Sequence, residues 1–543
     1  MNAVAHREVE RKYEVPEGAE NRIDWSALQG YSVSTEPVEH RMEAVYYDTE
    51  DMALARRMVA LRRRRGGADD GWHVKHSEPS GRHELQVPLL RTPDRIPASV
   101  RNLVAGLTGG RPLRPIATLR TVRRVLMVSD AAGTEVAELA VDDVRAVDER
   151  TGTPRAWAEW EVELVDGSLP PEHQSEIFGA VEEAIAAAGG RPSSSRAKIA
   201  RALGEEDTAD AAGGRAPTVE PGTTAGKRKP GKRGGPSGKK RGGRPGPELL
   251  RAALGELAEQ LVLWDFKVRL DAPDAVHQLR VTSRSLRSLL KAASPFLETE
   301  AAEDLDARLR ELARAMSTAR DTEVVAELLP GRVEHLDGRV DPAGSEALRR
   351  AAEQDSRTAR ARVRRRVGGR EHLRLLADVQ ALAADPPVTE KCRKHTAREV
   401  ADRLVRRTLR KVVRTAQRGA EAEDAGGTGW EDRLHHLHDV RKAVKRVRYV
   451  EAVLHRTGYR PGKAMRRAAA DAEEYQDVLG RIMDAAVAER WLAGTAEAMR
   501  RSGQDRYAVG ALHGAEVVRL RAEVDHGTDV VAVLLSQVRD DLA

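Results

Sequence analysis

The sequence predicts a multidomain protein in which an antiparallel β-barrel or tunnel of about eight strands precedes an all-α helical bundle. The chain has 543 residues, which is too many for one hydrophobic core. Short runs of alternating polar and apolar residues recur over 1–203, and long runs with helical periodicity fill 247–543. Between them, 204–246 is rich in Gly and Pro and then in Lys and Arg, so we predict a disordered basic linker.

Turn residues separate the alternating runs of the first region, as expected for neighbouring antiparallel strands. The runs are EVERKYEV (8–15), AVYYDT (44–49), VALRRRR (59–65), WHVKHS (72–77), HELQVPL (83–89), RRVLMVSD (123–130), AELAVDDVRAV (137–147) and WAEWEVELVDG (157–167). A helix is predicted over 172–188, where two glycines follow it, and a short helix in SSRAKIARAL closes the region.

Several of these strands carry charge on one side. The first run places Glu8, Glu10, Lys12 and Glu14 on one side and Val9, Arg11, Tyr13 and Val15 on the other. Later same-side sets are Arg62 with Arg64, His73 with Lys75, and Glu159 with Glu161 and Glu163. One interpretation is that the charged sides face solvent. The other is that they line a lumen, which is a poor core unless water, a divalent metal and a polyphosphate chain occupy it.

The helical region contains a repeat. VHQLRVTSRSLRSLL and LHDVRKAVKRVRYVE each carry His and three cations at offsets 0, 3, 7 and 10, and the two copies are 161 residues apart. The residues are His277, Arg280, Arg284 and Arg287 in the first copy and His438, Arg441, Lys445 and Arg448 in the second. These offsets form one stripe along a helix. Apolar residues lie opposite: Leu279, Leu286 and Leu290 in the first copy, Val440, Val444 and Val447 in the second.

The similarity between the two copies continues downstream. Asp321 follows the first histidine by 44 residues, Asp484 follows the second by 46, and Ser317 occupies the place of Gly480. A solvated charge face is the simpler explanation of a single stripe. Two matched stripes indicate instead a shared groove for a polyanion, because stacked cations repel unless an anion lies between them, and Arg suits phosphate.

Composition restricts the other functions. The single cysteine, Cys392, excludes an intramolecular disulfide and a cysteine-based zinc site. The longest apolar run, VVAVLL at 530–535, is too short to span a bilayer, so we expect a cytoplasmic protein without a membrane partner. The stretch 226–244 holds nine Lys or Arg and no acid, which predicts only non-specific contact with nucleic acid.

The first region resembles the CYTH superfamily, the triphosphate tunnel metalloenzymes. Glu8-x-Glu10-x-Lys12 is similar to its E-x-E-x-K signature. YYDT (46–49), LRRR (61–64), GWHVK (71–75), the Asp142–Asp143 pair, EWEVEL and Lys198 follow in the family's order. The resemblance implies hydrolysis of a triphosphate with Mg²⁺ or Mn²⁺.

The same resemblance implies roles for individual residues. The implied metal ligands are Glu8, Glu10, Asp142 (or Asp143), Glu159, Glu161 and Glu163. The implied phosphate ligands are Arg62, Arg64, Lys75 and Arg123 (or Arg124), with Lys12 beside them. Lys198 would cap the tunnel, so Glu8, Glu10, Lys12 and Lys198 are the implied catalytic set.

The second region resembles the CHAD family, whose domains bind inorganic polyphosphate. The similarity is carried by H-x-x-R-V-x-x-R at 277–284, RD at 320–321, H-x-x-R-x-x-x-KR-x-RY at 438–449 and LG…D at 479–484. Ser285 and Ser317 depart from the family's usual Arg and Gly. We therefore expect an inorganic triphosphatase joined to a polyphosphate-binding module, associated in the cell with polyphosphate granules. A class IV-like adenylate cyclase and a non-catalytic polyphosphate-binding scaffold are the alternatives.

Overall fold

The computed structural model describes residues 9–16, 23–25, 28, 30–67, 69–78, 81–89, 92, 94–193, 197–204, 243–336, 338–424 and 429–542. The chain divides into two compact units, Met1–Gly231 and Lys232–Ala543. The division falls inside the predicted linker, most of which lies outside the described residues, as does Glu8.

The first unit is built mainly from strands. They are β1 (Glu10–Glu14), β2 (Tyr31–Val33), β3 (Val38–Asp48), β4 (Val59–Arg65), β5 (Gly71–Glu78), β6 (Gly81–Val87), β7 (Arg114–Asp130), β8 (Glu135–Asp148), β9 (Thr153–Leu164) and β10 (Arg191–Pro192). Helices α1 (Ala98–Thr108), α2 (Pro171–Ala187) and α3 (Lys198–Leu203) accompany them, together with a 3₁₀ turn at Ala55–Arg57.

The strands form one antiparallel sheet whose order is β10-β1-β9-β8-β7-β3-β4-β5-β6, with β2 paired to β7. All eight predicted runs are strands, which confirms the predicted fold class. The sequence reading missed β2, β10 and the helix α1. The long strands β7, β8 and β9 pair in register over most of their length, so side chains on their shared face form rows across the sheet.

The two sides of β1 and β9 face different surroundings. Tyr13 and Trp160 are almost fully buried, and they pack with Phe178 and Val181 of α2 in one apolar cluster. The alternate residues of both strands, which carry the charges, point to the other face. The apolar core of this part of the unit therefore lies between the sheet and α2, and it leaves the opposite face free for polar side chains.

The second unit is helical. Its elements are α4 (Gly246–Arg269), α5 (Ala275–Ala293), α6 (Thr299–Ala315), α7 (Ser317–Glu334), α8 (Pro342–Val367), α9 (Arg370–Ala384), α10 (Glu390–Arg393), α11 (Ala397–Asp424), α12 (Trp430–Arg456), α13 (Lys463–Glu474), α14 (Gln476–Arg501) and α15 (Tyr507–Leu542). No helix among the described residues is both long enough and apolar enough to cross a bilayer.

The predicted duplication is visible in the order of the helices. The series α4, α5, α6, α7 corresponds to α11, α12, α13, α14, with a short third helix and an immediate junction to the fourth in both copies. The two stripe helices, α5 and α12, pack against each other. Their predicted apolar faces are buried in a single core: Leu279, Leu286, Leu290, Val440, Val444 and Val447.

Candidate functional sites

The charged face of the sheet encloses a cavity of about 520 Å³, called the lumen below. The predicted residues that line it are Glu10, Lys12, Arg62, Arg64, Lys75, Arg123, Glu161, Glu163 and Lys198. They come from strands β1, β4, β5, β7 and β9 and from the start of α3. The interpretation of a charged lumen therefore agrees with the geometry, and the solvated-face alternative does not. The size is within the range of sites for small ligands.

Lys198 is bound by three carboxylates. Its Nζ lies 2.8 Å from Asp142, 2.6 Å from Glu159 and 2.7 Å from Glu161. Arg123 donates two hydrogen bonds to Asp142, at 2.8 and 2.7 Å, and a third to Glu161. Asp142 and Glu159 are buried and lie beneath the lumen surface, where they hold the cations that face it.

Electrostatics keep this cluster ionised. Burial by itself raises the pKa of Glu161, but Lys198, Lys12 and Arg123 together hold that pKa well below its usual range. Burial likewise lowers the pKa of Lys198, and the three carboxylates more than reverse the effect. The cluster is therefore a network of buried charges that depend on one another.

Carboxylate oxygens of Asp142, Glu159 and Glu161 lie within 4.8 Å of one another, a spacing that fits a shared metal ion. A second set of acids lies in one row across three strands: Glu10 pairs in register with Glu163, and Glu163 with Glu138. All three of these glutamates line the lumen. Like charges directly opposite one another on a sheet repel, so a divalent cation would stabilise this row. The donor sets thus fit a hard metal ion such as Mg²⁺ or Mn²⁺.

The opposite wall of the lumen is cationic. Arg62 is buried against Tyr46, and together with Arg64 and Lys198 it lowers the pKa of Tyr46, which burial alone would raise. Arg64 donates to Asp69 at 2.5 Å. Lys75 lies 2.8 Å from Glu84, whose other oxygen is 4.0 Å from Arg62. These acids orient the cations but leave their head groups at the lumen surface.

The geometry distinguishes Arg123 from Arg124 and Asp142 from Asp143, which the sequence alone leaves open. Arg124 donates to Asp143 at 2.7 Å, and Asp143 is 45 % exposed. Arg123 and Asp142, by contrast, pair inside the lumen network. The strand alternation places adjacent residues on opposite faces, so only Arg123 and Asp142 can take part in the site.

In the helical unit, residues of the two predicted stripes lie close enough to interact electrostatically. We call this set the basic groove: His277, Arg280, Arg284, His438, Arg441 and Lys445. Burial lowers the pKa of Lys445 to about 7, helped by Arg441 and Arg284 from the two different stripes. Burial and neighbouring cations also lower the pKa of His438 to about 4 and that of Arg280 to about 10. In all three groups burial has the largest effect on the pKa, and neighbouring cations add to it.

The duplicated aspartates lie in the same groove. Asp321 interacts with Arg280, and Asp484 lies 4.0 Å from Arg441, so the two copies place equivalent partners together. The Nε atoms of Arg280 and Arg441 are both buried and without a hydrogen-bond partner in the described structure. The two copies therefore share an unsatisfied donor at equivalent positions.

The ends of the stripes differ from the centre. Arg287 donates to Asp306 at 2.9 Å, and the guanidinium of Arg448 lies 5.6 Å from the ring centre of Tyr449. Ser285, where an arginine was expected, is buried, and its counterpart in the second copy is Arg446. Ser317 donates to Ala313 at 3.3 Å, which accommodates its hydroxyl within the helix junction.

Sequence reasoning missed Glu84, Glu138 and Arg446. Glu84 faces Lys75 because of the register of the β5–β6 hairpin, which the sequence does not reveal. Glu138 lies in AELAVDD, where alternation from Asp142 would have placed it on the lumen side. Arg446 directly follows Lys445, and the offsets 0, 3, 7 and 10 that define the stripe include Lys445 but not Arg446.

Comparison with known proteins agrees with this arrangement. The CYTH domain family matches residues 6–184, and the CHAD domain family matches 252–493. The Mycobacterium tuberculosis proteins MT2285 and Rv2226 are each 30 % identical over 530 residues, which covers 94 % of this chain and 93 % of theirs. The chain belongs to the family of CYTH–CHAD proteins.

Similar solved structures each cover one part of this CYTH–CHAD protein. The CHAD domain from Ricinus communis is 22 % identical, covers 55 % of the chain and 92 % of that domain, and gives a TM-score of 0.42. HpAC1 from Hippeastrum is an adenylyl cyclase homologue reported with a dominant triphosphatase activity. It is 18 % identical, the match covers 36 % of this chain and 96 % of that protein, and the TM-score is 0.25. CYTH domains are metal-dependent and include triphosphatases and adenylyl cyclases.

Proposed function

We propose that the CYTH domain hydrolyses inorganic triphosphate, or a related triphosphate, in its lumen, and that the CHAD domain binds inorganic polyphosphate. One observation carries the first part. The lumen has carboxylates on one side and Arg62, Arg64 and Lys75 on another, which is the arrangement that a metal-bound phosphate chain requires.

Each wall has a distinct task in the proposed reaction. Mg²⁺ or Mn²⁺, held by Glu10, Glu161 and Glu163, would activate a water and neutralise phosphate oxygens. Arg62 and Arg64 bind the phosphate chain and stabilise the charge that develops on the transferring group. Lys198, fixed by its three carboxylates, positions the closing helix α3 over the chain.

Phosphate release from tripolyphosphate, ATP and thiamine triphosphate, with Mg²⁺ or Mn²⁺, tests the activity. We expect Glu10→Gln to reduce kcat by at least about 100-fold, since it removes a charge at the metal. Glu39→Gln, an exposed acid on β3, is the control and should retain wild-type activity. Unchanged hydrolysis in Glu10→Gln would refute the catalytic assignment, and cyclic AMP formation from ATP would favour a cyclase.

The basic groove supports the second part of the proposal. Arg280 and Arg441 each bring a buried, unpaired donor to it, and a flexible phosphate chain offers an acceptor oxygen at every unit. Binding of polyphosphate would associate the protein with polyphosphate granules in the cell. The scaffold alternative differs only in that the lumen would be catalytically silent.

Isothermal titration with polyphosphate tests the groove. The double substitution Arg280→Ala with Arg441→Ala should weaken binding and flatten its dependence on salt, because fewer counterions are released. Arg501→Ala with Arg506→Ala is the matched control, since both arginines are exposed beside Glu497. Equal affinity in the two double variants would place the binding site elsewhere.

A further inference from the structure

A second cationic cavity lies in the helical unit, separate from the basic groove. It has a volume of about 1180 Å³, and seven of its thirteen lining residues are Lys or Arg, against two acids. We call it the arginine cavity. Four of its cations, Arg403, Arg407, Arg410 and Arg414, follow one side of α11 at offsets 0, 4, 7 and 11. This row is about 16 Å long at the rise of an α-helix.

The protein itself does little to neutralise this row. From Arg403 to Arg418, helix α11 contains seven cations and no acid. Arg403 interacts with Glu399 one turn earlier, whereas for Arg410 and Arg414 no carboxylate in the described part of the chain lies within ion-pair distance. Arg407 bonds only to neutral oxygens of Lys291 and Ser294. Like charges four residues apart destabilise a helix, so the row has an energetic cost that a bound polyanion would remove.

The arginine cavity is connected to the basic groove by other cations. A smaller cavity of about 600 Å³, called the bridging cavity, shares Arg407 and Arg414 with it and also contains Lys411 and Arg446. Arg446 in turn interacts with Arg287 and Arg284 of the first stripe, and these cations, with burial as the larger cause, lower its pKa. A series of cations therefore leads from the groove to α11, and it is interrupted at Asp306, which pairs with Arg287, Lys291 and Arg310.

The arrangement of these cations favours one class of ligand. A long, unbranched chain of phosphates can bend and contact successive cations, first on α12 and then on α11. Single-stranded nucleic acid would need aromatic platforms for its bases. Phe296 is the one aromatic residue that lines the arginine cavity, and Lys391 lies 5.9 Å from its ring centre.

We propose that the arginine cavity is a second binding site for polyphosphate, occupied by chains that are too long for the basic groove alone. This inference rests on the proposed function of the groove. It predicts that affinity increases with chain length, because each added contact is made by a chain that is already bound. It also predicts that the increase depends on α11.

The test compares chains of about ten and about one hundred phosphates by titration of the full-length protein in EDTA, so that no chain is cleaved. Arg403→Ala with Arg410→Ala should weaken binding of the long chain about tenfold and leave the short chain unchanged, since only the long chain reaches both sites. Arg501→Ala with Arg506→Ala is again the control. The Arg280 and Arg441 double variant should lose affinity for both chains.

Each contrary result has a distinct meaning. Equal long-chain affinity in the α11 variant and the control would overturn the second site and leave the groove in place. Failure of the wild-type protein to bind either chain would overturn the proposed function of the groove, and this inference with it. If the α11 variant lost binding only to single-stranded DNA of matched charge, the assignment to polyphosphate would be wrong.

Discussion

Replacement of Lys198 by methionine tests the charge network of the lumen most directly. The change keeps the length of the side chain but removes the ammonium that three carboxylates share at 2.6–2.8 Å. The side chain is only 12 % exposed, so water can replace the ammonium only in part. Removal of one partner from a buried ion pair costs about 3–5 kcal/mol.

Arg123 and Lys12 remain beside the carboxylates, so we take the lower end, about 3 kcal/mol. For a domain of this size that corresponds to a fall of about 6–12 °C in Tm. Differential scanning calorimetry of the full-length protein measures it, with the helical unit as internal reference. Mg²⁺ should recover part of the loss in Lys198→Met, because the freed carboxylates can bind it.

Arg120→Met is the matched control. This arginine pairs with Glu43 at 3.2 Å but is 75 % exposed, so its loss should shift Tm by no more than about 2 °C. If Lys198→Met melted as the control does, the network would not exist as described. The deficit should also shrink as pH falls. In the wild-type protein Lys198 helps to hold the pKa values of Asp142 and Glu161 below their usual range, so the stability that it contributes is lost as pH falls and these carboxyls become protonated.

Three further predictions concern other parts of the chain. Polyphosphate affinity should fall as pH rises from about 6 to about 9, because Lys445 in the unliganded protein loses its proton near pH 7 and must regain it on binding. In titration calorimetry, Lys445→Arg should make the affinity less dependent on pH. An equal pH dependence in the variant and the wild-type protein would contradict this. Gly190→Ala should lower the free energy of unfolding in urea by about 1–3 kcal/mol, since a Cβ there would lie 2.6 Å from the Ile185 side chain. Gly179→Ala in α2 is the control and should stabilise the protein, because the added Cβ has free space. Equal effects of the two substitutions would contradict this prediction. Asp265→Asn should destabilise the helical unit by about 3 kcal/mol, because Arg269 at 2.8 Å would lose its buried partner, and an unchanged denaturation midpoint would refute this.

The sequence was most informative where alternation was long. In VALRRRR and WEVEL, alternation assigns every residue to one of the two faces of a strand, and in the structure the residues lie on the predicted faces. Strands β2 and β10 have three and two residues, which is too short to show any period. Helix α1 is a different case, because Val100, Leu103, Val104 and Leu107 have helical spacing and the sequence does carry a signal for it.

The limits for the site are set by side-chain reach and by register. Alternation placed Glu159 and Glu161 on the same face, but it could not show that Glu159 lies beneath Lys198 while Glu161 lines the lumen. That difference depends on which carboxylates a single lysine can reach at once. In the helical unit, the equal offsets in α5 and α12 predicted two stripes that face each other. The cations of α11 lie outside these two stripes, so the repeat does not predict them.

One break in the duplication, Ser285 in the place of Arg446, has a consequence for how a ligand would be held. A chain of identical phosphate units reads the same from either end, so a groove with exact twofold symmetry would hold it centred and in both directions alike. The extra guanidinium on α12 lies on the side that leads to α11. A polymer in this groove would therefore be drawn off centre, with its longer overhang on the α11 side.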